Sequence, residues 1–162
     1  MKIRTILLIA LVNFILQVLL APYLRLWGVA PNTALILTVV IAMLGGLQRG
    51  LAFGLMAGLL QDLFFSKALG LHMLIYGLLA LGIGLLESRL FKDNRLTPTV
   101  LIVGSTLFFY CFSAAVFYLA EAVAGIGYVL TRQFPLEALY NTGVCLLFYR
   151  RLFARVYGYG LR

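Results

Sequence analysis

The sequence predicts an all-α integral membrane protein of about six transmembrane helices with both chain ends on the cytoplasmic side. Three observations carry this. Hydrophobic residues make up 64% of the 162 residues and charged residues only 11%, where a soluble domain has roughly 45–50% and about 25%; a chain this short has too much surface to hide the excess from water. The apolar residues fall into long runs that do not alternate with polar ones, as the strands of a membrane β-barrel would. The net charge of +8 comes from short basic clusters between those runs, with no single basic patch, so a membrane explains it better than nucleic acid.

Six apolar segments fill one domain, 1–162: Thr5–Leu24, Thr33–Gln48, Leu51–Phe65, Leu71–Glu87, Pro98–Ala124 and Leu136–Tyr149. A hydrocarbon core of about 30 Å needs about 20 helical residues. The first and fifth segments reach that length. The second and third are short, and either thin the bilayer or form a re-entrant hairpin. Pro31, Pro98 and Pro135 precede or open the second, fifth and sixth segments, where a missing N–H is harmless. Asn32 and Thr33 are expected to cap the second helix and Thr97 the fifth. Gly45-Gly46 and Gly125-Ile126-Gly127 mark helix ends. The start, Met1-Lys2-Ile3-Arg4 and an apolar run, resembles a signal peptide without a cleavage site; it reads as a retained first helix.

Charge sets the orientation. With a cytoplasmic N-terminus, the inside segments hold ten basic residues, among them Lys2, Arg4, Arg49, Arg89, Lys92 and Arg95, and four in the tail from Arg150 to Arg162. The outside loops hold three, Arg25, Lys67 and Arg132. Ten against three is a strong positive-inside bias and favours an even number of crossings.

The third segment is the most informative. Gly50, Gly54, Gly58 and Asp62 are spaced by four and wind slowly round one helix face. Each glycine costs about 1 kcal/mol of helix propensity relative to Ala, a cost offset in a membrane when small residues let a neighbouring helix approach. That neighbour belongs either to this chain or to a partner. Gly70, Gly77 and Gly84 on the fourth segment recur every seven residues, and Ala80, Gly84 and Ser88 every four; both patterns read as close packing.

Asp62 is the one acid placed well inside a span, in its outer half by the count from Gly50. A lone carboxylate there costs several kcal/mol, so it needs a partner. Gln17, Asn32, His72 and Asn141 lie at similar depth, with Asn141 or Asn32 the expected neighbour. The bland role is a hydrogen-bonded lock between helices; the sharper ones are a proton or ion relay, or a ligand contact. Asn13 and Gln17 share a face of the first helix and read as amides bonded across helices. His72, near a helix end, reads as an interfacial hydrogen-bonding residue. Glu87 to Arg95 forms a solvated charged turn, Glu121 sits near a helix end, and the basic aromatic tail suits anionic lipid or a cytoplasmic partner. Cys111 and Cys145 have no metal-ligand spacing and read as small core residues. No phosphate loop, zinc spacing, nucleophile elbow or paired-carboxylate site occurs, so neither an enzyme nor a cofactor is expected.

Several of these features, in order, resemble the rod shape-determining MreD family. They are Ala30-Pro31-Asn32, then Gly54-Leu-Met-Ala-Gly58-Leu-Leu-Gln-Asp62-Leu63, then Leu69-Gly70-Leu71 with Tyr76 following, and Ala138-Leu139-Tyr140-Asn141. Length, span pattern and basic C-terminus agree. The resemblance implies a non-catalytic scaffold in the bacterial inner membrane, within the machinery of cell-wall elongation and cell shape. Similar proteins work with the bitopic protein MreC, with RodA and its class B penicillin-binding partner, and with the actin-like MreB on the cytoplasmic side. The family is similar in fold to the substrate-binding subunits of energy-coupling-factor vitamin transporters, which supplies the alternative function. Those subunits carry an Ala-x-x-x-Ala docking motif; on the first helix here Ala10 and Ala21 are eleven apart.

Overall fold

A computed structural model describes residues 3–20, 22–65, 69–119 and 132–157. Among these the chain is six helices: α1 (Ile3–Leu20), α2 (Thr33–Gly45), α3 (Leu47–Phe65), α4 (Leu71–Leu85), α5 (Leu96–Leu119) and α6 (Phe134–Tyr157). A short 3-10 turn, Glu87–Arg89, follows α4. By length and composition, α1 and α5 are long and apolar enough to cross a membrane, and α2 and α4 are shorter apolar helices.

The three middle helices form the core. α3 and α4 make the closest pair, and α2 packs on both. At 13 residues α2 is only about 20 Å long at 1.5 Å per residue, yet nine of those residues are buried, so it is the central post of the bundle. Outside this core α1 lies chiefly on α3, and the α5–α6 pair leans on α2. Only Ile6, Ala10 and Asn13 of α1 are buried. They are spaced by four and three, a single narrow seam along one side of the helix. The rest of α1 shows Leu8, Ile15 and Leu19 to the surroundings, as α5 shows Val100 and Leu107. Apolar faces of that extent suit lipid as their solvent.

The connections are tight where glycine permits it. α2 and α3 are joined by Gly46 alone, at φ +80°, and its N–H donates to the Ala42 carbonyl at 3.0 Å. Between α1 and α2 the chain makes a two-residue hairpin turn. Leu26 and Val29 exchange both backbone hydrogen bonds, with Trp27 at φ +51° and Gly28 at φ +86° between them. Two positive φ values in succession are what such a turn requires; glycine takes the second at no steric cost, and Trp27 takes the first. The Tyr140 hydroxyl donates to the Leu24 carbonyl at 2.9 Å and ties this loop to α6.

Helix boundaries differ from the sequence expectation in instructive ways. α1 ends at Leu20, short of Leu24, and the apolar residues after it enter the hairpin loop. α3 starts at Leu47, so Arg49, expected in a loop, is already helical. Thr97 does not cap α5; it lies within the first turn and donates to the Phe91 carbonyl, while the Asn94 side chain accepts from Leu96 N–H at 2.9 Å. α6 runs eight residues past Tyr149, carrying Arg150, Arg151 and Arg155 on a continuous helix, because nothing in that basic stretch breaks it. Glu121, Lys67, the glycines at 125 and 127, and Arg162 lie outside the described residues.

Candidate functional site

The glycines of α3 set how the core closes. Successive positions four apart advance about 40° round a helix of 3.6 residues per turn, so the stripe turns as it rises. A Cβ on Gly50 would stand 2.6 Å from Ala42 Cβ on α2. One on Gly54 would stand 2.8 Å from the Tyr76 carbonyl oxygen on α4 and 3.1 Å from Thr38 on α2. On Gly58 it would lie 2.5 Å from the Met73 backbone nitrogen on α4. Gly84 on α4 faces the Leu47 backbone, with 2.6 Å to its Cα. These four glycines thus face helices of this chain. Gly77 differs: a Cβ there meets only the Leu55 side chain, at 3.0 Å.

Close approach of α3 and α4 places Asp62 under the start of α4. The helix begins after Gly70, which has no side chain to cap it. Asp62 supplies the missing acceptors from across the interface. His72 N–H donates to Oδ1 at 3.0 Å and Met73 N–H to Oδ2 at 2.9 Å. An ionised carboxylate is acceptor-only, so the His72 ring, with Nδ1 at 2.8 Å from Oδ1, fits as the Nδ1–H donor. The carboxylate also sits at the positive end of the helix dipole. Asp62 is 1% exposed, and these contacts are the compensation that such burial demands. The expected neighbours were Asn141 or Asn32. The carboxylate instead turns to α4, because two free N–H groups at a helix start need an acceptor more than either amide does.

Asn32 and Asn141 belong to an adjoining cluster at the same end of the bundle. Asn32 caps α2, accepting Leu35 N–H at 3.1 Å, and its own N–H donates to Asn141 Oδ1 at 2.8 Å. The Tyr76 hydroxyl lies 2.7 Å from Gln61 Oε1 and 3.0 Å from Asn32 Oδ1, with one proton for the two. The Gln61 amide reaches Gln17 Oε1 at 3.2 Å, and the Thr33 hydroxyl reaches the same oxygen at 3.1 Å. Asn141, wholly buried, donates to Thr106 Oγ1 at 3.3 Å and Glu137 Oε1 at 3.4 Å. Tyr110 donates to the other Glu137 oxygen. Five helices and the start of α2 are thereby joined through side chains.

The structure brings together Gln17, Asn32 and Asn141 on one side and Asp62 with His72 on the other. Tyr76 and the neighbouring Gln61 connect the two groups along the core. It separates Asn13 from Gln17: Gln17 is bonded twice, and the Asn13 amide has no hydrogen-bond partner among the described residues. Glu137 is the residue that sequence reasoning missed. It is 8% exposed, a second buried acid beside Asp62. Its signal was available: Glu137 and Asn141 are four apart on one helix, Thr106 and Tyr110 four apart on another, and each pair shares a face.

Chemically this arrangement holds helices. The carboxylates accept from N–H and O–H groups already in place, and no group of three His, Cys, Asp or Glu that could hold a metal ion occurs among the described residues. The chain matches the family of the rod shape-determining protein MreD over residues 1–155. It belongs to the MreD family. The match takes in all six helices up to the last turn of α6, and makes the chain a rod shape-determining membrane protein of the MreBCD system. No curated protein and no solved structure matches the chain. The polar residues bonded between helices, Gln17, Asn32, Asp62, Tyr76, Glu137 and Asn141, all fall within the part that matches MreD.

Proposed function

We propose that this chain is a multi-pass, non-catalytic scaffold of the bacterial inner membrane, with both termini cytoplasmic, serving lateral peptidoglycan synthesis in the cell-wall elongation complex. Its partners are the bitopic MreC, RodA with its class B penicillin-binding protein, and MreB on the cytoplasmic side. The observation that carries this reading is the MreD family match over residues 1–155. The polar groups support it: they are spent on joining helices, which suits a part whose work is to hold shape. The broad apolar faces of α1 and α5 support placement in lipid.

The test is gentle purification from the native membrane, followed by mass spectrometry, together with depletion in a rod-shaped host. A bitopic partner should be recovered, and depleted cells should become round. Recovery of a stoichiometric vitamin and an ATPase module, with no bitopic partner, would instead identify a transporter subunit and overturn the proposal.

A further inference from the structure

α1 is held by α3 and α2, and α6 by α5 and α2. Between α1 and α6 this leaves a groove of about 460 Å³ floored by α2. Leu37 and Val40 form its floor, Val144 and Phe148 one wall, and Asn13 the other, with Arg151 at one end. Asn13 is the anomaly. It is 8% exposed, lines the groove, and its amide has no hydrogen-bond partner among the described residues. An amide open to an apolar groove with no hydrogen-bond partner there is costly in an apolar setting, and an acyl chain in the groove would leave it so.

We propose that this groove seats one transmembrane helix of another protein, which offers Asn13 a hydrogen-bonding side chain and Arg151 an acidic one. This rests on the scaffold reading above and locates its contact. The spacing of the two anchors specifies the partner. Gln17 and Asn141 lie at one level, through their bonds to Thr33 and Asn32. Asn13 is one turn from Gln17, about 6 Å, and Arg151 is ten residues from Asn141, about 15 Å, at 1.5 Å per residue. The anchors are therefore about 9 Å apart along the bundle. A partner helix matches them with Ser, Thr, Asn or Gln facing Asn13 and Asp or Glu about six to seven residues nearer the cytoplasm at 1.5 Å per residue, of which seven keeps both on one face.

Photo-crosslinking residues placed one at a time in the full-length chain test this in native membranes. The groove positions are Leu37 and Phe148; the controls are Leu81 on α4 and Leu107 on α5, both exposed. A bitopic protein crosslinked from the groove positions and not from the controls is the expected result. A bitopic partner that copurifies but crosslinks only from Leu81 or Leu107, or a groove that yields lipid adducts alone, overturns the groove assignment and leaves the scaffold reading intact. No bitopic partner under any condition overturns both. Asn13→Leu gives a second measurement. Partner recovery should fall roughly three- to twenty-fold, the range of one interhelical hydrogen bond, while the melting temperature of the purified chain holds or rises. Unchanged recovery overturns the proposal.

Discussion

At the scale of single residues, Asp62 does the work of an N-cap from another helix. A cap made this way links the start of α4 to the packing of α3, so loss of the side chain should act on both. Asp62→Leu leaves the N–H groups of His72 and Met73 without acceptors, at about 1–3 kcal/mol for each buried group left unpaired. Asp62→Asn keeps one acceptor oxygen and should lie between wild type and Asp62→Leu in thermal melting of the purified chain. Equal losses for the two variants would contradict the capping role. His72→Ala removes one of three donors and spares both backbone bonds, so its loss should be smaller than that of Asp62→Leu.

At the scale of helices, two kinds of contact divide the labour. The α3–α4 pair relies on glycine. Gly58→Ala forces a Cβ against the Met73 backbone, which cannot yield as a flexible side chain does, and overpacking of this kind costs about 1–3 kcal/mol. Gly82 lies on the same α4 helix with nothing within 4 Å of its added Cβ. Gly82→Ala should therefore be neutral or stabilising, by up to about 1 kcal/mol from helix propensity. Melting temperatures of the two variants should move in opposite directions, or at least differ clearly; parallel changes would remove the packing argument. The α5–α6 pair relies on Tyr110, Glu137, Asn141 and Thr106. Tyr110→Phe and Glu137→Leu break the same bond, so their effects should fall short of additive by about 0.5 kcal/mol or more. Strict additivity in a double-mutant cycle would mean that the Tyr110–Glu137 contact contributes nothing.

At the scale of the whole molecule, the charge bias leads to a topology that accessibility can test. Single cysteines at Tyr23, in the α1–α2 loop, and at Arg89, after α4, are both at exposed positions. In a chain with Cys111 and Cys145 replaced by Ala, an impermeant thiol reagent added to intact spheroplasts should label the first and spare the second. Labelling of both, or the reverse pattern, would overturn the placement of both ends in the cytoplasm.

The sequence alone determined the solvent, the helical class and the family, because these follow from properties that need no folding partner. Apolar run length, the absence of alternation, the clustering of Arg and Lys, and the order of motifs around Gly54, Gly58, Asp62 and Asn141 are all written along the chain. The start of α4 at Leu71 was legible although its cap, Asp62, acts across space; the end of α1 was not, because apolar residues after Leu20 enter a turn instead of a helix. Only the tertiary structure decided which polar group answers which. Asp62 meets His72 and Met73, and Asn32 meets Asn141 across 109 positions, because the approach allowed by glycine fixes which backbone N–H groups lie within reach. The same packing left Asn13 without a hydrogen-bond partner among the described residues, although its neighbour on the helix face, Gln17, found two. A one-turn difference in level along α1 decides that, and a difference in level exists only once α1, α2 and α3 are assembled.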